Sequence, residues 1–582
     1  MLDLKIAGGT IVDGTGTPAA AGDIGVKDGR IVALGKVSDP AHRTIDAAGA
    51  VVTPGFIDIH THYDGQAVWD QALAPSSWHG VTSIMMGNCG VGFAPLRPGD
   101  ADRLVKLMEG VEEIPGTVLY EGLDWRWETF ADYLNRVDAT LHAINIAAQI
   151  PHDPVRLYVM GDRAAQQQPA TEDDVAAMKS IVREALKAGA FGFSTGRSDT
   201  HRTSDGKDTP ACIAEMRELS GIASALKDLP YRILSAVSDF DMFKGLDRFD
   251  PEFDVLEGMA RAAGRPMTIT TLERLGNPDQ WKHVQRRVEK ARAEGLDMRM
   301  QIAPRGVGIL NSLRTTINIF VAKPSYRAIM HLPHAALVAE LRKPEVKARI
   351  LAEPFLNMRE VDPSAPPQID QAIGMLEMIA FRMFELGDPP NYEPAEATSI
   401  GARAKGRGVT ILEEMYDTFL KADGEGVIYF PIFNYNAGNL NSTGEMMRHE
   451  AAHLGLGDGG AHVGTIADAA WTTFFLHHWA RDRTQGRLGM EEAIKKITFD
   501  HAAFMGLKDR GRIAPGTVAD LNIIDWKNLN LRPPHMAYDL PAGGKRLMQE
   551  ARGYRATIVA GTPILENDKP TGATPGRVLR AN

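Results

Sequence analysis

An α/β architecture is predicted for this 582-residue chain: a (β/α)8 TIM-type barrel plus a small β-sandwich built from both termini. Three observations predict it. Short apolar runs alternate with amphipathic helical patterns through the middle of the chain. Both ends consist of β-type runs punctuated by glycine turns. One apolar run finishes in two histidines spaced two apart, at the strand end where a barrel of this kind carries its chemistry.

The first fifty residues hold the β-type runs Leu4–Ala7, Thr10–Val12, Asp23–Val26 and Arg30–Leu34. Gly8-Gly9, Asp13-Gly14 and Asp28-Gly29 separate them where the backbone turns. The C-terminal region repeats this texture in Ala519–Ile524 and Ala556–Ala560. Neither end offers enough strands for a core of its own, so residues 1–53 and 511–582 are expected to share one.

Residues 54–510 are assigned to the barrel. Its candidate strands are Gly55–Ile59, Val81–Met86, Ile144–Gln149, Phe191–Ser194, Tyr231–Ser235, Met267–Thr271, Met298–Ile302 and Ala451–Leu456. Helices are expected between them. Glu172–Ala188 places Val175, Met178, Ile181, Val182 and Ala185 at helical spacing, and Asp254–Ala263 and Asp279–Glu294 read alike. The stretch at about 305–446, between the seventh and eighth strands, is far longer than an ordinary loop and is read as an inserted lid. Within it Gln368–Glu385 is predicted helical, with Met375, Met378, Ile379 and Met383 on one stripe. Tyr326, Tyr429, Phe433 and Tyr435 are candidates to line an apolar substrate site.

Composition narrows the partners. A hydrophobic fraction of 44% with 24% charged residues excludes a disordered chain. Lys+Arg 64 against Asp+Glu 74 gives a net charge of −10, which argues against a nucleic-acid footprint. No apolar run reaches the length of a membrane span, and Met1–Lys5 lacks a secretion-signal pattern. Two cysteines, Cys89 and Cys212, exclude a disulfide framework and fit a reducing, cytoplasmic setting. The expected partner is a small-molecule substrate, and a homo-oligomer is compatible with this composition. Cys212 is assigned to packing within a helix.

The sharpest local pattern is Pro54-Gly55-Phe56-Ile57-Asp58-Ile59-His60-Thr61-His62. Along an extended strand, residues i and i+2 project to one side, so His60 and His62 present two imidazoles together. Imidazole is a common ligand of Zn2+ and related ions. Alone, a His-x-His pair is better read as a surface or core pair. Its place, closing the first apolar strand after a small β region, is what favours a metal.

This nonapeptide resembles the first-strand metal motif of the amidohydrolase superfamily. Gly511–Leu521 resembles that superfamily's return to its small β domain. Gly80-Val81-Thr82-Ser83, followed by Gly87-Asn88-Cys89-Gly90, resembles the N-acyl-D-amino-acid deacylase (D-aminoacylase) branch, as do Phe193–Gly196 and Gly457–Gly460. The resemblance spans nearly the whole chain, with the insertion matching poorly.

It implies a metal-dependent hydrolase that cleaves a non-peptide amide bond, of an N-acyl D-amino acid or a related N-acyl compound. Cys89 is implied as a metal ligand beside His60 and His62. Asp458 is implied as a further ligand and as the catalytic proton shuttle. Cys89 is also supported by its position behind Ile84-Met85-Met86, at the C-terminal end of a strand. The fourth strand, Phe191–Ser194, holds no lysine to bridge two metals, so Cys89 is the better bridging candidate.

The sequence also departs from the branch. Tyr231–Ala236 lacks the fifth-strand histidine, and Thr270-Thr271-Leu272-Glu273 stands where the sixth strand carries Ser-His-x-Lys. His60, His62, Cys89 and Asp458 remain. They suffice for one Zn2+ rather than two, and another divalent metal could take its place. His152, His201 and His462 follow the third, fourth and eighth strands and are candidates to touch substrate. Arg197, Arg202 and Arg305 lie on the same predicted face, where a guanidinium suits a substrate carboxylate. His477 and His478 lie in a helix and are expected to pack or face solvent. Two alternatives stay open: the same barrel acting on a lactone, ester or C–C bond, and a non-catalytic binding scaffold.

Overall fold

A computed structural model describes residues 1–240, 246–316, 318–361 and 369–581. Eight parallel strands follow one another in chain order around a curled sheet: Phe56–Asp58, Val81–Met86, Asn145–Pro151, Gly192–Arg197, Ile233–Ser238, Met267–Thr270, Met298–Ile302 and Ala452–Leu454. The sheet closes where Thr61 bridges Gly459 in parallel and His62 N–H donates to Gly459 O at 2.7 Å. The second strand, Val-Thr-Ser-Ile-Met-Met, is buried along its whole length, as expected of a parallel strand covered on both faces.

The helices that cover the sheet follow from local chemistry. Glu172–Lys187 starts at a reciprocal cap: Thr171 Oγ1 accepts from Asp174 N–H, and the Asp174 carboxylate accepts from Thr171 N–H. Its buried face is Met178, Val182, Ala185 and Leu186. Phe249–Ala263 stops at Gly264, whose φ of 60° ends the helix without strain.

The two chain ends do meet. A nine-stranded mixed sheet is centred on the antiparallel pair Val51–Pro54 and Leu521–Ile524, with Leu521 opposite Pro54. Leu4, Ile6, Ile24, Val26, Val52, Leu521, Ile523, Ala556 and Ile558 form its core. This pairing leads through Gly55 straight into the first barrel strand, so the small sheet anchors the strand that carries His60 and His62.

Between the seventh and eighth strands lies a unit with its own core, including Phe320, Leu341, Ile350, Ile400 and Phe419. A three-stranded antiparallel sheet, Gly308–Asn311, Ile428–Pro431 and Phe384–Glu385, belongs to it. The helix expected over 368–385 is broken here: Ile369–Gly374, Leu376–Ile379, a 3₁₀ turn at Ala380–Arg382, then the strand at Phe384. Gly374 weakens the helix midway, and Met383 O is taken by Ile400 N–H instead of a helical partner. Residue 368 lies outside the described residues. Met375 and Met378 are exposed, so the expected methionine stripe does not face inward together. Tyr326, Tyr429 and Tyr435 are core residues rather than pocket lining. Tyr429 Oη donates to Gly306 O, Tyr435 Oη to Pro394 O, and Asn318 Nδ2 to Tyr326 Oη. Cys212 is buried as expected but sits in a turn, not a helix. Among the described residues, no helix is long and apolar enough to cross a membrane.

Candidate metal centre

The end of the first strand is locked from behind. Asp58 is buried; its Oδ1 accepts from His60 N–H at 3.1 Å and its Oδ2 from Trp471 Nε1–H at 2.9 Å. Burial raises its carboxyl to about 7. Beyond it, Thr61 bonds to Met85 O through both its backbone N–H and its hydroxyl, which leaves His60 and His62 on the inner side.

His60 Nδ1 lies 2.8 Å from Gln301 Oε1, at the end of the seventh strand. With that nitrogen donating to the amide oxygen, Nε2 keeps its lone pair. It faces Cys89 Sγ at 3.2 Å and Asp458 Oδ1 at 3.3 Å. His62 Nε2 lies 3.8 Å from the same Asp458 oxygen, and its Nδ1 lies 3.1 Å from Glu112 Oε1. Ligand atoms of His60, His62 and Cys89 fall within 4.8 Å of one another, the one such cluster of three or more metal-type side chains among the described residues.

Cys89 reaches this point through a turn that few residues tolerate. Its own φ is 55°, between Gly87 at 78° and Gly90 at 77°. Asn88 pins the turn by donating from Nδ2 to Met85 O and Thr61 O. A Cβ at Gly87 would stand 2.1 Å from Gln149 O. Gly87→Ala is therefore expected to destabilise the fold by roughly 2–3 kcal/mol and to displace the thiol; the denaturation midpoint would fall. Asp458 enters from the loop after the eighth strand, also at positive φ, 45°.

The donor set fits a divalent transition metal: two imidazoles with converging nitrogens, one sulfur and one carboxylate. The electrostatics agree. Burial, then Asp458, Glu112 and Asp64, push the Cys89 thiol well above its ordinary range. Burial and its neighbouring imidazoles hold His62 well below the usual histidine range. A cation placed among these acidic groups and imidazoles would offset the charge they gather there.

The fifth- and sixth-strand side chains have partners within the protein. Ser235 Oγ, on the fifth strand, donates to Gln149 Oε1, and Gln149 Nε2 donates to Asn88 Oδ1. Thr271 Oγ1 turns back to Ile269 O, and Glu273 serves the insertion by accepting from Ser442 Oγ and Asn436 N–H.

The expected substrate contacts divide. His462, at φ 45°, lies 3.9 Å from carboxylate oxygens of both Glu112 and Glu113. Burial alone would pull its pKa down, but Glu113, Glu112 and Asp458 push it up to about 10. His201 is half-buried, and burial holds it at about 4 despite Asp239. His152, by contrast, is fully buried, with Nδ1 on Thr195 Oγ1 and Nε2 on Glu218 Oε1, so neither nitrogen faces the cluster. The arginines have internal partners as well. Arg197 forks onto Glu252, Arg202 pairs with Asp208, and Arg305 pairs with Asp468 beneath the ring of Tyr392. In this arrangement neither the buried Arg197 nor the buried Arg305 offers its charge to a substrate.

Gln301, Glu112 and Glu113 were not foreseen. Glu112 did leave a signal. It falls on the i, i+4, i+8 line of Leu104 and Met108, an acid on the apolar stripe of helix Ala101–Glu112.

With this geometry in view, the comparisons decide the family. The profile of the family described as "Amidohydrolase family" matches residues 43–360 and 428–565. The chain belongs to the amidohydrolase family. It is 28% identical to D-aminoacylase of Alcaligenes xylosoxydans xylosoxydans over 99% of this chain and 97% of that protein. Two solved structures share the amidohydrolase fold seen here over the full length of both chains. One is a D-aminoacylase studied for the role of its binuclear metal centre, with one-metal activation and second-metal attenuation (TM-score 0.65, 23% identity). The other is N-acyl-D-glutamate deacylase of Bordetella bronchiseptica with zinc and a phosphonate inhibitor mimicking the reaction's tetrahedral intermediate (TM-score 0.64, 23% identity).

Proposed function

We propose that this amidohydrolase is a single-ion, zinc-dependent enzyme that hydrolyses the amide bond of an N-acyl amino acid of D-type or a related N-acyl compound. One observation carries the reading: His60, His62 and Cys89 converge within 4.8 Å, with Asp458 Oδ1 3.3 Å from His60 Nε2. The likeness to D-aminoacylase over 99% of the chain supports the reaction class. The Ser235–Gln149–Asn88 chain, in place of further imidazoles, supports one ion.

His60, His62, Cys89 and Asp458 would hold the ion. When bound, zinc supplies Lewis acidity, polarising a carbonyl and bringing the pKa of a water near neutrality. The protein's own residues do the rest. Gln301 keeps His60 in the tautomer whose Nε2 is free. Asp458, the most exposed of the four, takes the proton from the attacking water and returns it to the departing amine nitrogen. Collapse of the tetrahedral intermediate then breaks the C–N bond. Leu272, Val307, Leu456 and Phe433 form a small apolar cluster, with Leu456 two residues before Asp458, and would receive the acyl chain. His201, His462 and Arg202 are the groups left to face a substrate carboxylate.

Missing fifth- and sixth-strand histidines favour a second reading, cleavage of a lactone, ester or C–C bond by the same centre. Protein purified without added metal is expected to contain one equivalent of zinc or another divalent ion, and to hydrolyse an N-acyl D-amino acid faster than its L-enantiomer. A panel of both enantiomers beside esters and lactones checks this. Ester or lactone turnover alone would establish the second reading, and no turnover with no bound metal would indicate a binding scaffold.

A further inference from the structure

Glu112 has no evident reason to be where it is. It ends helix Ala101–Glu112, where the helix dipole disfavours a negative charge. Its side chain is 1% exposed, and it shares its stripe with Leu104 and Met108, a place where an apolar residue would pack without the cost of burying a carboxylate. Its Oε1 is 3.1 Å from His62 Nδ1, close but off the line of an ideal hydrogen bond. Its Oε2 is buried without a hydrogen-bond partner and points toward His462 Nε2 at 3.9 Å.

His60 shows what this contact does. There an amide oxygen from Gln301 stands behind Nδ1, while Nε2 faces Cys89 and Asp458. At His62 the carboxylate of Glu112 stands behind Nδ1, while Nε2 faces Asp458. Each imidazole thus has an oxygen close behind its Nδ1, hydrogen-bonded at His60 and 3.1 Å away but off line at His62. A carboxylate behind a ligand imidazole fixes its tautomer and raises its basicity.

We propose that Glu112 is a positioning residue for the metal centre: it holds His62 with the proton on Nδ1 and Nε2 free, and so sets the affinity of the site for its ion. The second oxygen extends the same carboxylate toward His462, tying the helix after the second strand to the loop that carries Asp458. This rests on the single-ion reading given above.

The test is zinc affinity of the full chain, measured with Zn2+ against a competing chelator, for wild type, E112Q and E112L. E112L, which removes the acceptor, is expected to bind zinc about 10–100-fold more weakly. E112Q keeps an amide acceptor and should lose less, roughly 3–10-fold. Melting of the metal-free proteins separates this from packing, since E112Q relieves a buried carboxylate and should melt no lower than wild type. Should E112L fail to fold, E112Q carries the test. Unchanged zinc affinity in the folded variants would overturn the proposal, whatever happens to their melting. Wild-type protein that bound no zinc would overturn the metal reading itself, and this inference with it.

Discussion

Asp458→Asn is expected to lower kcat by about 10²–10⁴-fold, the usual contribution of a positioned acid–base group. The amide keeps the shape of the side chain but can neither accept the proton of the attacking water nor pass it to the leaving nitrogen. Its oxygen can still face the ion, so bound zinc should fall far less than turnover. The fold should be unaffected, because the Asp458 side chain faces His60 and His62 rather than the core, at 19% exposure. Single-turnover kinetics with a zinc assay on the same sample checks both halves, and an unchanged kcat would remove Asp458 from proton transfer.

The second large effect lies away from the chemistry. Arg156 is fully buried, its Nε donating to Glu218 Oε1 at 2.8 Å, its Nη1 to Pro210 O at 2.8 Å and its Nη2 to Gln168 O at 2.8 Å. Arg156→Met leaves Glu218 without its guanidinium and should cost about 3–5 kcal/mol of stability, read from the denaturation midpoint. Adding Glu218→Leu should recover much of that loss, since an apolar pair needs no compensation. The same group has a pH signature. Burial alone would raise Glu218, but His152 and Arg156 outweigh it and hold the carboxyl at about 2, against 4.5 for an ordinary glutamate. Because its pKa is depressed in the folded state, the group stabilises the fold above about pH 4.5, and that contribution is lost as pH falls toward 2. Wild-type stability should drop across that interval, and the double variant should drop less.

This cluster also explains what could be read from the residues in advance. His60 and His62 were legible because a strand has a two-residue period, and Cys89 because it follows the apolar run Ile84-Met85-Met86 at a strand's C-terminal end within a motif that resembles the deacylase branch. The strands Val81–Met86 and Met298–Ile302 were legible to the residue, the first as a short run between Gly80 and Gly87 and the second as an alternation of apolar and polar residues after Gly295. Partnership was not legible. His152 and Glu218 are 66 positions apart, and Arg305 and Asp468 are 163 apart, so nothing local to either pair announced an internal bond. An unpaired guanidinium and a paired one look alike in a sequence. Glu112 lay between the two cases, since its helical phase was visible but its imidazole partner was not. Met375, Met378, Ile379 and Met383 at helical spacing suggested a longer helix than forms, because Gly374 and the tertiary bond to Ile400 outweigh periodicity.

The antiparallel pairing of Val51–Pro54 with Leu521–Ile524 bears on how the molecule is made. During synthesis the N-terminal strands emerge long before their neighbours at the other end of the chain, and a few strands with an open edge are not stable alone. Contacts of such sequence separation close slowly. The strand leading to His60 and His62 stays without its full support until the last segment has been made. A chain halted before Leu521 would therefore lack the clamp on the strand that leads to His60 and His62, although His60, His62, Cys89 and Asp458 had all been synthesised. Assembly of the His60, His62 and Cys89 cluster would in this sense wait on the strand Leu521–Ile524.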